Sequence, residues 1–282
     1  MSGALRVEAH AKVNVFLRVL RAREDGYHDL ASLVLPISLS DVVTVRPARE
    51  LRVDVRGSLA GDVPPGGLNL ALIAALALAE ASAGTLGATI VIEKSIPVAA
   101  GLGGGSADAA ATLVALNELW GCGLHADALA DIGARVGSDL PALLVGGPVL
   151  VGGRGQRVEP AKVERLWWVL VPFDFPTRSP EAYRWWDEDG GGTGPSPWSI
   201  LDAAERGDAE TLGPLLFNDL ERPVVRRHPE IGEAQRALVH AGALGAVMSG
   251  SGPTVLGLAR DEEHARAIGR GFPGSIVASG PP

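Results

Sequence analysis

A single cysteine, Cys122, stands in the 282-residue chain, which excludes an intramolecular disulfide and any cysteine-cluster metal site. Such usage fits a reducing cytoplasm. Lysine is almost as scarce: of 25 lysines and arginines only Lys12, Lys94 and Lys162 are lysine. A basic excess is missing as well. The formal net charge of -8, with no basic cluster to offset it, argues against nucleic acid or an anionic membrane as the partner. Long apolar runs are also absent, since the charge-free stretch LPALLVGGPVLVGG, Leu140 to Gly153, falls short of the roughly 18 residues that a membrane-spanning helix needs. The opening MSGALRVEAHAKVNVF carries Arg6, Glu8 and Lys12 where a signal peptide requires an unbroken apolar core. A cytoplasmic protein without nucleic-acid or membrane partners is expected.

What is present is enough to build a sizeable core. Hydrophobic residues make up 46% of the chain, and the length allows two domains; a boundary near residue 155 divides it into 1–155 and 156–282. The first fifty-odd residues alternate apolar and polar side chains around REDGYHD, the period of strands in an antiparallel or mixed sheet. PPGGLNLALIAALALAEASAG, Pro64 to Gly84, predicts a helix capped by Asn69 and ended by Gly84. GATIVIEKSIPV predicts a strand, SADAAATLVALNELWG and HADALADIGARVG two helices, and SDLPALLVGGPVLVGG a return to strand. Beyond it lie a strand at LWWVLVPF, a helix from about Ser179, a glycine- and proline-rich surface loop from Asp187 to Ser199, two helical stretches, and two strands joined by GSGP.

PVAAGLGGGSADAAATL, Pro97 to Leu113, is the densest signal. Four glycines within five positions exceed what a turn between strand and helix requires. They suit a loop whose backbone N–H groups approach an anion, backed by the free amides and positive dipole end of the following helix. GLGGGS nearly fits the dinucleotide fingerprint but has Ser106 at the third glycine, and no acidic-ended second strand follows. It is not a Walker A loop, because no Gly-Lys-Ser/Thr follows. Anion cradle and plain turn stay open on these residues alone. A phosphoryl-transfer site would further need a cation, a carboxylate at the acceptor hydroxyl, and magnesium. Lys12, in a strand among valines, and Asp139, in GSDLP just past a helix, could equally be an outward strand charge and a turn or cap residue.

The combination is more telling. AKVNVFLRV, DGYHDL, PVAAGLGGGSADAAATL, GSDLPALLVGG, LFNDLE and GAVMSGSGPTVLGL, in that order, resemble the GHMP kinase superfamily, which includes galactokinase, homoserine kinase, mevalonate kinase and phosphomevalonate kinase. AKVNVFL, DGYHDL and the triple glycine before Ser-Ala resemble its diphosphocytidyl-methylerythritol branch. The resemblance implies an α+β, two-domain GHMP-kinase fold with the active site in the interdomain cleft. It implies transfer from ATP, with Mg2+, to the 2-hydroxyl of a small-molecule substrate, 4-diphosphocytidyl-2-C-methyl-D-erythritol, by a monomer or weak dimer.

Carried over residue by residue, the loop from Pro97 through Gly101, Leu102, Gly103, Gly104 and Gly105 to Ser106 would hold the ATP phosphates. Asp139 would take the hydroxyl proton while Lys12 keeps Asp139 ionised and stabilises developing charge. Asn14, Tyr27 and His28 would recognise the substrate, with Tyr183 closing the other side of its cytosine, and Ser249, Gly250, Ser251 and Gly252 would face the phosphates or substrate. A homoserine or mevalonate specificity would leave DGYHDL without a role; a catalytically silent nucleotide binder would leave Lys12 and Asp139 without one. The insertion Gly190 to Gly194 matches no shared motif. No counterpart of the superfamily's magnesium-binding glutamate is evident, so metal ligands beyond the ATP phosphates and Ser106 are unassigned. His10, His125, His228, His240 and His264 show no ligand spacing.

Overall fold

A computed structural model describes residues 3–63, 68–82, 87–192, 194 and 196–282. The chain packs into two compact units that interleave along the sequence. One takes the residues up to Ala11, then Leu39–Val98 and Gly103–Gly146; the other takes Lys12–Ser38, Ala99–Leu102 and Gly147–Pro282. The chain passes between the two units several times. The reason lies in the first two strands, β1 (Leu5–Ala22) and β2 (His28–Pro47), of 18 and 20 residues. Strands of globular proteins usually run about 5–6 residues, and each of these contributes one end to each unit.

In the first unit, β3 (Arg52–Arg56) pairs in parallel with β4 (Ala88–Glu93), which pairs antiparallel with the end of β2, from Val42 opposite Glu93 to Pro47 opposite Ala88. Alternate residues Val43, Val45, Ala88, Ile90 and Ile92 turn inward, as the two-residue period of a strand dictates. They meet α1 (Leu70–Ala81), α2 (Gly104–Leu119) and α3 (Ala126–Val136). Helix α1 buries Ala71, Ala74, Ala75 and Leu78, spaced as one helical face. The Asn69 side chain accepts from the amides of Ala71 at 2.9 Å and Leu72 at 3.4 Å, the expected cap. The expected ends of that helix at Pro64 and Gly84 lie outside the described residues, and α1 stops at Ala81.

Two boundaries differ from the sequence reading. Helix α2 starts at Gly104, two residues before Ser106, because Gly103 takes a left-handed cap conformation at φ 70°, which glycine alone adopts at no cost. The stretch read as a strand from Ser138 opens instead with α4 (Leu140–Leu144). Pro141 sits in its first turn, where proline's fixed φ favours a helix.

The second unit holds β5 (Val149–Gly153), paired antiparallel with β2 at Leu30–Val34 and with β6 (Arg157–Pro160). It then builds a four-stranded antiparallel sheet ordered β11-β7-β10-β9 from β7 (Leu166–Val171), β9 (Gly245–Met248), β10 (Val255–Ala259) and β11 (Ile276–Gly280). Every residue of central β10 is buried. Helices α5 (Ser179–Glu188), α6 (Trp198–Glu205), α7 (Ala209–Leu212), α8 (Glu221–Arg227), α9 (Pro229–His240) and α10 (Glu262–Gly269) complete it. A two-residue strand, β8 (Phe217–Asn218), lies parallel to β1, with Phe16 opposite Phe217. The predicted loop from Asp187 to Ser199 begins in the last turn of α5 and ends in the first turn of α6, with residues 193 and 195 outside the described set.

Replacing Asn69 by alanine removes the α1 cap, and a loss of about 1 kcal/mol is expected. Urea unfolding of the two proteins side by side measures it.

Candidate active site

Lys12 is buried, 6% exposed, and is not the outward charge of a half-exposed strand. Both faces of β1 are covered here, with Val13 and Val15 fully buried on the side opposite Lys12 and Asn14. The Lys12 ammonium donates to Asn14 Oδ1 at 2.8 Å and to the Gly101 carbonyl at 3.0 Å. Asn14 Nδ2 donates to Ser32 Oγ at 2.8 Å, and Ser32 Oγ donates in turn to the Phe16 carbonyl at 2.6 Å. A relay of side chains across β1 and β2 thus fixes a buried cation, and burial of a charge is tolerated only with such partners.

The turn between β9 and β10 lies against the same point. Ser249 Oγ donates to the Gly101 carbonyl at 3.0 Å, and Thr254 N donates to Ala100 O at 3.3 Å. Gly101 has φ 76°, and a Cβ there would meet Ser249 O at 2.3 Å and Gly252 O at 2.8 Å. Gly250, at φ 56°, brings its backbone so near Lys12 that a Cβ would stand 3.0 Å from Nζ. Leu102 accepts from the Lys12 backbone amide at 2.9 Å. The glycine loop thus serves two ends: Gly101 and Leu102 pack on β1 and the β9–β10 turn, while Gly103 to Ser106 open α2 within the first unit. Gly105 is exposed, and its amide and those of Gly104 and Ser106 occupy the first turn of α2, where helix amides lack intrahelical acceptors. Pro97 is partly buried ahead of the loop.

Asp139 is exposed at the start of α4 and makes no capping hydrogen bond, so the cap role is not what places it. His28 and Tyr183 come together: their rings stack at 4.9 Å between centroids and 22° between planes. Trp186 meets His28 edge-on at 5.7 Å, and His28 Nε2 lies 2.9 Å from Asp187 Oδ1. Tyr27, the preceding residue, is 49% exposed and has the Arg154 guanidinium 5.1 Å from its ring centre. Ser251 shares a hydrogen bond with Ser179 at 3.0 Å.

Several contributors carried no role in the sequence reading. In LFNDLE, Asn218 Nδ2 donates to the carbonyls of Met248 and Gly250, both at 2.7 Å, and so clamps the β9–β10 turn. Asp219 Oδ2 accepts from Val19 N, and Glu221 Oε2 from Met248 N, both at 2.8 Å. Burial pushes both carboxyls above the ordinary range, against the pull of those amides. In the first unit, Lys94 forms a buried ion pair with Asp41 and one of 2.8 Å with Asp108. Asp41 Oδ1 also accepts from Ser95 N at 2.5 Å and Ile96 N at 2.8 Å. The ammonium sits beside the first turn of α2, 3.0 Å from where a Cβ of Gly104 would be. Burial raises the Asp108 carboxyl to about 7, with the Lys94 charge opposing and the Asp41 charge adding. The rarity of lysine was the signal that could have found this cluster.

Two family models match the chain: GHMP kinases N terminal domain over residues 69–147 and GHMP kinases C terminal over 200–275. A protein of Symbiobacterium thermophilum named 4-diphosphocytidyl-2-C-methyl-D-erythritol kinase is 45% identical over 92% of this chain and 92% of its own length. The chain belongs to that family of GHMP kinases. This kinase is also similar to a crystal structure of 4-(cytidine 5'-diphospho)-2C-methyl-D-erythritol kinase, at a TM-score of 0.83 and 34% identity, covering 98% of this chain and 99% of the other. A homoserine kinase structure from Cytophaga hutchinsonii matches at a TM-score of 0.74 and 22% identity, with 99% of this chain and 95% of the other covered; that likeness shows the fold alone. The mixed α/β architecture is thus that of a GHMP phosphotransferase, an enzyme family that uses ATP.

Because Asp108 is held above its ordinary range, its protonated form is favoured in the fold. Its contribution is greatest below about pH 4 and falls as pH rises towards 7. Asp108→Asn should therefore gain on the wild type between pH 4 and 7, read from urea midpoints at several pH values; a constant difference would contradict the assignment. Gly101→Ala should lower both melting temperature and turnover, since neither neighbouring carbonyl is the end of a flexible side chain.

Proposed function

We propose that this kinase transfers the γ-phosphoryl group of ATP to the 2-hydroxyl of 4-diphosphocytidyl-2-C-methyl-D-erythritol, in the non-mevalonate route to isoprenoid precursors. The observation that carries the reading is the likeness, over nearly whole chains, to relatives named for that activity. Support comes from the residues themselves. The hydroxyl oxygen attacks the γ-phosphorus, its proton passes to the Asp139 carboxylate, and ADP leaves. Asp139 suits that role because it is exposed and its carboxylate is not spent on capping. Lys12, a compact cation held by Asn14 and Gly101, stabilises charge that develops on the transferred group.

Backbone amides of Gly101, Gly103, Gly104, Gly105 and Ser106, with Leu102 and Pro97 shaping the loop, hold the ATP phosphates. The left-handed cap at Gly103 and the open first turn of α2 fit an anion of this kind. No group of three or more His, Cys, Asp or Glu side chains suited to a metal occurs among the described residues. Mg2+ would ride on the nucleotide phosphates, with the Ser106 hydroxyl as a protein ligand, and would neutralise charge on those phosphates. Asn14, Tyr27, His28 and Tyr183 recognise the substrate. His28 and Tyr183, already stacked, offer the aromatic and polar edges that a cytosine needs, and Ser249 to Gly252 face the phosphates or substrate.

On this reading residues 1–155 form the ATP-binding domain and 156–282 the C-terminal domain, a division on either side of which the two family matches fall. The enzyme works in the cytoplasm as a monomer or weak dimer. No helix among the described residues is long and apolar enough to cross a membrane.

Purified protein given ATP, Mg2+ and, separately, the cytidyl substrate, mevalonate or homoserine should consume ATP only with the first. Turnover with another acceptor would sink the substrate assignment. Asp139→Asn should cut kcat by about 10²- to 10⁴-fold, the usual contribution of a positioned base, with little change in nucleotide binding; near-normal turnover would remove Asp139 from the mechanism.

A further inference from the structure

His28 and Asp187 meet at the end of α5. Asp187 sits in the last turn of α5, its side chain 46% exposed, whereas the His28 side chain is only 8% exposed. The imidazole is held on three sides: stacked by Tyr183, edged by Trp186, and bonded through Nε2 to Asp187 Oδ1 at 2.9 Å. A carboxylate only accepts hydrogen bonds, so Nε2 carries a proton, and in the neutral imidazole Nδ1 is left as a lone-pair acceptor. No described residue hydrogen-bonds to Nδ1.

We propose that Asp187 is a positioning residue for substrate recognition: it fixes His28 as the Nε2–H tautomer and presents Nδ1 as an acceptor for the exocyclic amine of a cytosine. Uracil carries a carbonyl oxygen at that position, which would face the Nδ1 lone pair and be rejected. Pyrimidine choice is thus set from a residue that does not touch the base. The inference rests on the assignment of His28 to substrate recognition made above.

The test combines long-range proton–nitrogen NMR of the histidines in labelled protein with steady-state kinetics on cytidine- and uridine-linked acceptors. Wild-type His28 should show the Nε2–H signature. Asp187→Ala should shift it towards a tautomer mixture and raise KM for the cytidyl acceptor about tenfold, as expected for losing a charge-assisted hydrogen bond. It should narrow the cytidine-over-uridine preference by a similar factor, leaving kcat and the KM for ATP near wild type. Asp187→Glu should restore part of both the signature and the preference. An unchanged tautomer, or an equal loss on both acceptors, would overturn the proposal. If the wild type turns over neither acceptor, the substrate assignment fails, and with it the recognition role of Asp187. The tautomer measurement then still reports whether Asp187 orders His28.

Discussion

One carbonyl oxygen organises the second unit. Gly101 O accepts from the Lys12 ammonium and from Ser249 Oγ, each at 3.0 Å, so it ties the buried cation, the glycine loop and the β9–β10 turn to a single atom. The conditions for that junction are local and demanding. Gly101 needs a positive φ and no side chain, Lys12 needs Asn14 and Ser32 behind it, and the turn needs Asn218 to hold two of its carbonyls. The residues that meet these requirements come from stretches far apart in the sequence. This is why motifs far apart in sequence form one site.

Most of this was legible because period and punctuation are local. The alternation in β1 to β3, the Asn69 cap and the helix from Ser179 all follow from residues adjacent in sequence. Less legible were elements decided at a distance. Helix α4 overrode a strand-like composition because Pro141 favours a first turn, and α2 began early because Gly103 could adopt a cap conformation. The short strands β6 and β8 are too brief to show a period at all.

Legibility of the site had a similar limit. Glycine density announced the loop, and resemblance supplied Lys12, Asp139, Asn14, Tyr27, His28 and Tyr183. Nothing in sequence could say that His28 would lie against Tyr183 while neighbouring Tyr27 stayed half exposed under Arg154. Asp41 lies in β2, Lys94 just past β4 and Asp108 in α2, and a charge cluster of that kind exists only after folding. The same holds for Asp187, which composition alone assigned to a surface loop.

The interleaving of the two units also bears on synthesis. Every segment of the first unit has been synthesised once Gly146 is made, so that unit can close while translation continues. The two strands within Lys12–Ser38 pair with each other, whereas their outer partners at Val149–Gly153 and Phe217–Asn218 come later. The segment carrying Lys12, Asn14 and His28 is therefore translated among the first residues but gains its outer strand partners only later. Until then the outer edges of that strand pair are open to pairing elsewhere.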